Sequence, residues 1–264
     1  MELHGYSIKF KVHPGFDGIV DYLLKINFSF SEIPFIIQNR RNDIRLDNIN
    51  GFRLVIKSFK GMYWPNQLAY SIFRKSKAQR SYETSMRLRS IGLYVPTPVA
   101  YVDYYKWGIL KSSYFISLYQ EYEGLQASLS KYSSSHSLPK VFGAFIYQMH
   151  KAGVLHQDLS TGNILCVAQK EKINFFMVDL NRVRFQTVHY HTGLKSLSRL
   201  GLEQSSFNEI LMAYTQPWGK PFDHAMGYIK RIKDGRHKAG KIKLFLKRVF
   251  FPTRVSTTKD EIKV

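Results

Sequence analysis

The sequence predicts an α+β chain built as two lobes, strand-rich over residues 1–120 and helix-rich over residues 121–264. Three observations predict it. Before residue 120 the clearest apolar runs are short and β-rich, Phe52-Arg53-Leu54-Val55-Ile56-Lys57 and Tyr114-Phe115-Ile116-Ser117-Leu118-Tyr119. After it, Val141, Phe142, Phe145, Ile146 and Met149 return at helical spacing. Between short apolar anchors in this second half, His156-Gln157-Asp158-Leu159-Ser160-Thr161-Gly162-Asn163 and then Val178-Asp179 set two carboxylates and an amide on a loop and at a strand end.

Taken in order, the strand 52–57 ends in a lysine and is followed by a helical segment from about residue 66 to residue 91, with Gly92 placed as its C-terminal cap. Val95-Pro96-Thr97-Pro98-Val99-Ala100-Tyr101 opens the next strand, its prolines holding the entry extended. The strand 114–119 leads into Gln120-Glu121-Tyr122-Glu123-Gly124, which reads as a hinge between lobes. Ser133-Ser134-Ser135 and its polar neighbours form a surface connection, and the helix from about 138 to 151 is closed by Gly153. Val154-Leu155, Ile164-Leu165-Cys166-Val167 and Asn174-Phe175-Phe176-Met177-Val178 are strand-type runs that bracket the loop carrying Asp158 and Asn163. From about 189 to 218, Leu194, Leu197, Leu200, Leu202, Phe207, Ile210 and Leu211 are spaced as the core face of helices.

The polar constellation in the second half has the chemistry of phosphoryl transfer. Moving a γ-phosphoryl group asks the protein mainly to position reactants and to neutralise charge spreading over the phosphoryl oxygens. Asp158 is placed to accept or orient the proton of an attacking hydroxyl, while Asn163 and Asp179 offer the hard oxygens that Mg²⁺ prefers. His156 reads as a packing and hydrogen-bonding residue behind the loop. In the first half, Lys57 resembles the strand lysine that pairs with ATP phosphates in protein kinases, and the backbone around Glu121 and Tyr122 would meet the adenine edge. Glu83, the only acid in the segment 66–91, is the natural ionic partner for Lys57; i,i+4 pairing with Arg87 or Gln79 is the competing use of the same carboxylate.

Beyond this general likeness to kinases, several elements resemble the lipopolysaccharide kinase family of Kdo/WaaP type, within the protein-kinase-like superfamily. They are Ser58-Phe59-Lys60 after Lys57, the run Phe73-Arg74-Lys75-Ser76-Lys77-Ala78-Gln79-Arg80-Ser81-Tyr82-Glu83, Pro96-Thr97-Pro98, Asp158-Leu159-Ser160 and Asp179-Leu180-Asn181-Arg182. The likeness runs from about residue 39 to residue 185. It implies a bilobal kinase-like fold, ATP and Mg²⁺ as cofactors, and transfer of the γ-phosphate to a Kdo or heptose hydroxyl of the lipopolysaccharide core or a lipid A precursor. Carried over by position, Asp158 is the base, Asn163 and Asp179 are the metal ligands and Lys57 is the phosphate-binding lysine. Two departures stand out. Many relatives place the helix glutamate where this chain has Ser81, two residues or about 200° of helical rotation away from Glu83. The phosphate loop, expected at Asn39-Arg40-Arg41-Asn42-Asp43, has no glycine, so Arg40 and Arg41 would supply charge where backbone amides usually do.

Composition bounds the partners. The chain's 39 basic and 19 acidic residues leave a formal charge of +20, which points to a polyanionic surface or substrate. Lys230, Arg231, Lys233, Arg236, Lys238, Lys241, Lys243, Lys247 and Arg248 interleave with Ile242, Leu244, Phe245 and Leu246 in a basic amphipathic segment suited to an anionic membrane surface. Nucleic acid is the lesser alternative, attached to a RIO-type protein kinase reading; a catalytically silent kinase-like binding module is the other. A single cysteine, Cys166, excludes an internal disulfide or a thiolate metal cluster, and the sequence shows neither a signal-peptide pattern at its start nor about 18 consecutive apolar residues. The expectation is a cytoplasmic protein, peripheral on the inner face of a bacterial inner membrane, of open oligomeric state.

Overall fold

Alternation of side chains along an extended backbone decides how the first half folds. In β5 (Phe52–Ser58), Leu54 and Ile56 must point to one face and Val55 and Lys57 to the other. A computed structural model describes residues 1–39, 42–59, 74–131, 138–169 and 172–250. In it β5 lies within a seven-stranded antiparallel sheet. The other strands are β1 (Glu2–Leu3), β2 (Tyr6–Val12), β3 (Phe35–Asn39), β4 (Asp43–Ile49), β6 (Pro98–Lys106) and β7 (Ile109–Leu118). Their spatial order is β1-β2-β6-β7-β5-β4-β3.

Each face of this sheet is covered differently. Helix α1 (Val20–Ser29) buries Leu23, Leu24 and Ile26 against Leu54, Ile56, Val102, Tyr104 and Ile116, and each fully buried aliphatic there contributes roughly 1.5–3 kcal/mol. On the opposite face, α2 (Lys77–Ser90) lays Ala78 and Tyr82 on Tyr101 and Phe115. Helix α2 starts where it does because the Ser76 hydroxyl accepts the Gln79 amide at 2.9 Å. It stops at Gly92, whose φ of 78° lets the Gly92 and Leu93 amides close on the carbonyls of Arg89 and Leu88, as its place in the sequence predicts. The expected helical segment began near residue 66, but residues 60–73 lie outside the described residues.

Strand β6 is buried on both faces, and Asp103 sits in its middle with no exposure. Its Oδ1 accepts the Ser113 hydroxyl at 2.7 Å. Burial raises its pKa to about 6, against the opposing pull of the Ser76 and Ser113 hydroxyls and of Lys9.

The second half is helical around two small strand pairings. Helix α3 (Leu125–Lys131) follows β8 (Glu123–Gly124), and α4 (Leu138–Lys151) feeds β9 (Val154–His156) through Gly153, at φ 74°. Strands β10 (Ile164–Gln169) and β11 (Lys172–Met177) form a hairpin with β8 alongside, and β12 (Val183–Phe185) pairs with β9. Helices α5 (Tyr190–Leu197), α6 (Gln204–Thr215) and α7 (Phe222–Phe250) complete the lobe.

Phe142, Ile146 and Met149 of α4 share one core with Phe207, Ile210 and Leu211 of α6. Val141, read from spacing as part of that stripe, instead lies 47% exposed, because the α4 face that packs is centred on residues 142, 146 and 149. Ala225 and Ile229 anchor the start of α7 in the same core, after which most of its described side chains face outward. Among the described residues no helix is long and apolar enough to cross a membrane.

Gly143 fixes how closely α4 and α6 approach, since a Cβ there would stand 2.4 Å from the Ile210 carbonyl oxygen and 2.9 Å from the Ala213 Cβ. Gly143→Ala is expected to push the helices apart at a cost of about 1–3 kcal/mol, read as a lower melting temperature with unchanged far-ultraviolet circular dichroism.

Asp103 gives a pH-dependent prediction. Its folded pKa of about 6 lies above the unfolded value of 3.8, so the native chain holds this proton more tightly. The Asp103 contribution is therefore most favourable below the unfolded value and declines as pH rises towards 6. Asp103→Asn keeps an acceptor for Ser113 and removes the charge. Relative to the parent it should gain stability between about pH 4 and 6, up to roughly 2–3 kcal/mol, measured as the difference in urea-unfolding free energy across that range.

Candidate active site

The loop from Gln157 to Asn163 is short enough that whatever fixes its two ends fixes its side chains. Both ends are tied to the segment 178–182. The Gln157 amide donates to the Arg182 carbonyl at 3.0 Å, and the Val178 amide donates to the Asn163 carbonyl at 3.0 Å. The pairings Val183↔His156 and Ile164↔Met177 continue these contacts into β12–β9 and β11–β10. Asp158, Asn163 and Asp179, scattered over twenty-two positions of sequence, are thus brought together by backbone bonds.

His156 completes the bracing. It is fully buried, with Nε2 at 3.0 Å from the Val178 carbonyl and Nδ1 accepting the Asp158 amide at 3.2 Å. A carbonyl partner requires a proton on Nε2 and an amide partner requires a lone pair on Nδ1, which assigns a neutral imidazole of one tautomer. Burial pushes its pKa down, consistent with that neutral state. The residue is a brace, as read from the sequence.

At the front of the loop, Asn163 Nδ2 donates to the Asp158 carbonyl at 2.8 Å, an orientation that leaves Oδ1 as the amide atom outside that bond. The Asp158 side chain is 44% exposed, with Arg199 Nη1 3.6 Å away. Asp179 has φ 55° and ψ 44°, a left-handed conformation that aspartate tolerates better than most residues. Its Oδ1 accepts from Lys57 Nζ at 2.8 Å and from Asn181 Nδ2 at 2.9 Å. Burial alone would raise the Asp179 pKa; the Lys57 charge and hydrogen bond, with smaller help from Arg182, outweigh it and hold the carboxyl below its ordinary value.

Lys57 reaches this carboxylate because it occupies the face of β5 opposite to Leu54 and Ile56, paired in register with Phe115. The expected Lys57–Glu83 pair is not formed. Glu83 accepts from Lys75 at 2.7 Å and from Gln79 at 3.1 Å, so the i,i+4 use of its carboxylate holds in part, with Gln79. The reason is rotational. The face of α2 turned to the sheet carries Ala78, Ser81, Tyr82 and Ser85, and Ser81 spends its hydroxyl on the Lys77 carbonyl.

Between the lobes lies a cavity of about 580 Å³. Ile44, Val55 and Leu118 from the sheet line it together with Leu165 and Met177 from the β10–β11 hairpin, an apolar slot suited to a flat base, and Lys57 and Asp179 line it too. Tyr119, Gln120 and Tyr122 line the hinge side; Glu121 is exposed and does not line the cavity. Tyr122 packs its ring on Phe176, and burial pushes its hydroxyl pKa up to about 12. At the expected phosphate loop, Asn42 borders the cavity, and Arg40 and Arg41 lie outside the described residues.

The donor set fits a nucleotide-bound metal better than a protein-caged one. Among the described residues no group of three or more His, Cys, Asp or Glu side chains could hold a metal. Mg²⁺ typically takes one or two protein oxygens and completes its shell with phosphate and water, which Asn163 Oδ1 and Asp179 together can serve.

Two side chains at this site had no role in the sequence reading. Arg199 reaches Asp158 from forty-one residues downstream, and no local pattern signals it. Asn181 was visible only as a letter of the Asp-Leu-Asn-Arg element; its bond to Asp179 explains why an amide stands there.

Comparison with known proteins identifies the family. The profile of the lipopolysaccharide kinase (Kdo/WaaP) family matches residues 47–214, well over half of the chain. The chain belongs to that family. It is therefore a lipopolysaccharide kinase, an ATP-dependent phosphotransferase with a bilobal kinase-like fold. Among solved structures, WaaP in complex with acyl carrier protein superposes on this kinase with a TM-score of 0.59 at 14% identity, covering 87% of this chain and 98% of that one. The Rio2 kinase from Chaetomium thermophilum, as its ADP/Mg²⁺-phosphoaspartate complex, gives 0.46 at 15% identity, covering 80% of this chain and 67% of that one. The PknI kinase domain of Mycobacterium tuberculosis gives 0.41 at 12% identity, covering 69% and 73%. No curated protein sequence matches the chain.

The electrostatic account of Asp179 can be tested directly. Replacing Lys57 with Met removes the largest opponent of burial, so the Asp179 carboxyl should titrate at higher pH than in the parent. Carbon-13 NMR of Asp-labelled protein, assigned through Asp179→Asn, reads the shift; an unchanged or lower titration point would contradict the pairing.

Proposed function

We propose that this kinase transfers the γ-phosphate of ATP, with Mg²⁺, to a Kdo or heptose hydroxyl of the lipopolysaccharide inner core. The observation that carries the reading is that Lys57, Asn163 and Asp179 line one apolar interlobe slot, with Asp158 tied beside them through the Asn163 amide. The slot takes the adenine, and Lys57 draws the phosphates toward the site. Asn163 and Asp179 hold Mg²⁺, which neutralises phosphate charge when bound. Asp158, exposed at the mouth of the site, accepts the proton of the sugar hydroxyl as its oxygen bonds to the γ-phosphorus. The bond to the bridging oxygen breaks, and ADP leaves with that oxygen.

The basic face of α7 suits the place where such an acceptor is met. Lys230, Arg231, Lys233, Lys238 and Lys241 project from a helix anchored by Ala225 and Ile229, and each cation near an anionic bilayer adds about 1 kcal/mol of attraction. That arrangement supports a reading in which the kinase attaches peripherally to the cytoplasmic face of the inner membrane.

Activity should need Mg²⁺ and fall by roughly 10²–10⁴-fold in Asp158→Ala and Asp179→Asn. Glu83→Gln, whose carboxylate among the described residues bonds Gln79 and Lys75, should stay within about twofold of the parent. Mass spectrometry of lipid A–core from cells with and without the intact gene should differ by one phosphate. Unchanged core, or phosphate appearing on protein hydroxyls instead, would refute the assignment.

A further inference from the structure

Tight turns between strands are usually given to small or polar residues, and the turn between β6 and β7 is not. Trp107 and Gly108 alone join the paired Lys106 and Ile109. Their φ values, 52° and 72°, are both positive, a conformation that asparagine and glycine enter readily and a bulky side chain enters under strain. Trp107 is also 86% exposed, the most open large apolar side chain among the described residues. A ring that suits neither its backbone nor its solvent contributes little to the fold, which marks it for contact with something outside the chain.

The same end of the sheet holds a second turn of this kind. His4 and Gly5, with φ of 48° and 75°, join β1 to β2, and the pairing of Ser7 with Tyr105 sets that turn beside the first. Phe28, 39% exposed near the end of α1, packs its ring 4.9 Å from His4 and 6.0 Å from Tyr6. The Lys106 ammonium lies 5.1 Å from the Trp107 ring and 5.8 Å from that of Tyr6, and Lys9 lies 5.0 Å from the Tyr105 ring. Together the two hairpins carry Lys9, Lys11, Lys106 and Lys111 against Glu2 and the buried Asp103.

Charge and shape decide what such an end meets. A second copy of this chain would set the same lysines against one another. A folded partner would have to supply a pocket, because Trp107 stands on a projecting turn and not in a groove. A bilayer needs no pocket: its boundary layer takes an indole ring at any lateral position, and anionic headgroups answer the lysines.

We propose that the Trp107 turn, with Tyr6, Phe28 and Lys106 beside it, enters the boundary between headgroups and acyl chains of an anionic phospholipid bilayer. It forms a membrane contact separate from the basic helix α7. The inference rests on the lipid-linked acceptor reading above and deepens it, since a single weak lipid contact is readily reversed and two on one chain reinforce each other. Strand β7 runs ten residues from this turn toward the hinge, about 30 Å, so a change at Trp107 leaves the nucleotide slot untouched.

The test uses the full chain and vesicles of phosphatidylethanolamine and phosphatidylglycerol, with and without bromine high on the acyl chains as a quencher of tryptophan emission. The parent should bind them, and its bound emission should be quenched. Trp107→Asn, whose new residue suits the turn, should keep the parent's circular dichroism, bind about tenfold more weakly and lose most of the quenching. Trp107→Tyr should recover part of the affinity. Lys238→Gln with Lys241→Gln on α7 should weaken binding yet leave the quenching of saturated protein in place. Equal binding by the parent and Trp107→Asn would overturn the proposal. So would bound protein whose emission bromine leaves unchanged, or whose quenching survives in Trp107→Asn.

Activity separates this proposal from the reading beneath it. Transfer to an acceptor stripped of its acyl chains should agree within about twofold between the parent and Trp107→Asn. Insertion with no transfer to any lipopolysaccharide acceptor would sink the acceptor reading and leave the anchor standing. Transfer to the stripped acceptor with no insertion into vesicles would do the reverse.

Discussion

A neutral imidazole holds this site together. His156 spans from the amide of Asp158 to the carbonyl of Val178, so the backbones that carry the two carboxylates are clamped to one rigid ring. Only the neutral tautomer can make both bonds, because a protonated ring could not accept from the amide. Burial enforces that state by disfavouring the charged form. The Ser196 hydroxyl reaches the His156 carbonyl at 3.0 Å, so the same residue also ties the loop to α5. Two acids that repel each other are kept close by a group that carries no charge at all.

The pairing of Lys57 with Asp179 is the second constraint, and it links the lobes. The lysine stands on the sheet of the first half and the aspartate at the end of β11 in the second, so a single 2.8 Å contact crosses the cleft. In a chain whose α2 carried an inward acid, that lysine would have a partner within its own lobe. Here Ser81 occupies the inward position and its hydroxyl is satisfied by its own helix. Among the described residues the lysine's ionic contact is therefore the carboxylate that would also serve a metal, so phosphate and metal entering the cleft would compete with that contact for both of its partners.

Much of this was legible in the sequence because it is local. Gly92 and Gly153 end helices where their left-handed conformations allow, and the two carboxylates and the amide sit on the loop and strand end that their apolar neighbours predict. The illegible parts were rotational or long-range. Glu83 was the only acid available by sequence, yet a helix turns about 100° per residue, and the face it presents is set by Ala78 and Tyr82 against the sheet. Val141 failed for the same reason. Arg199 touches Asp158 only because α5 ends beside the loop, where Arg236 of α7 bonds the Lys195 and Ser198 carbonyls, and no window of sequence contains that arrangement.

The left-handed backbone at Asp179 also limits how this position can drift over generations. Glycine and asparagine enter that conformation at little cost, whereas β-branched or bulky residues meet steric strain. Descendants that lost the carboxylate while keeping the fold would be drawn toward those two letters. An Asn or Gly at this position in a sister sequence would then record a surrendered chemistry on an intact scaffold, and the turn itself would outlive the reaction it once served.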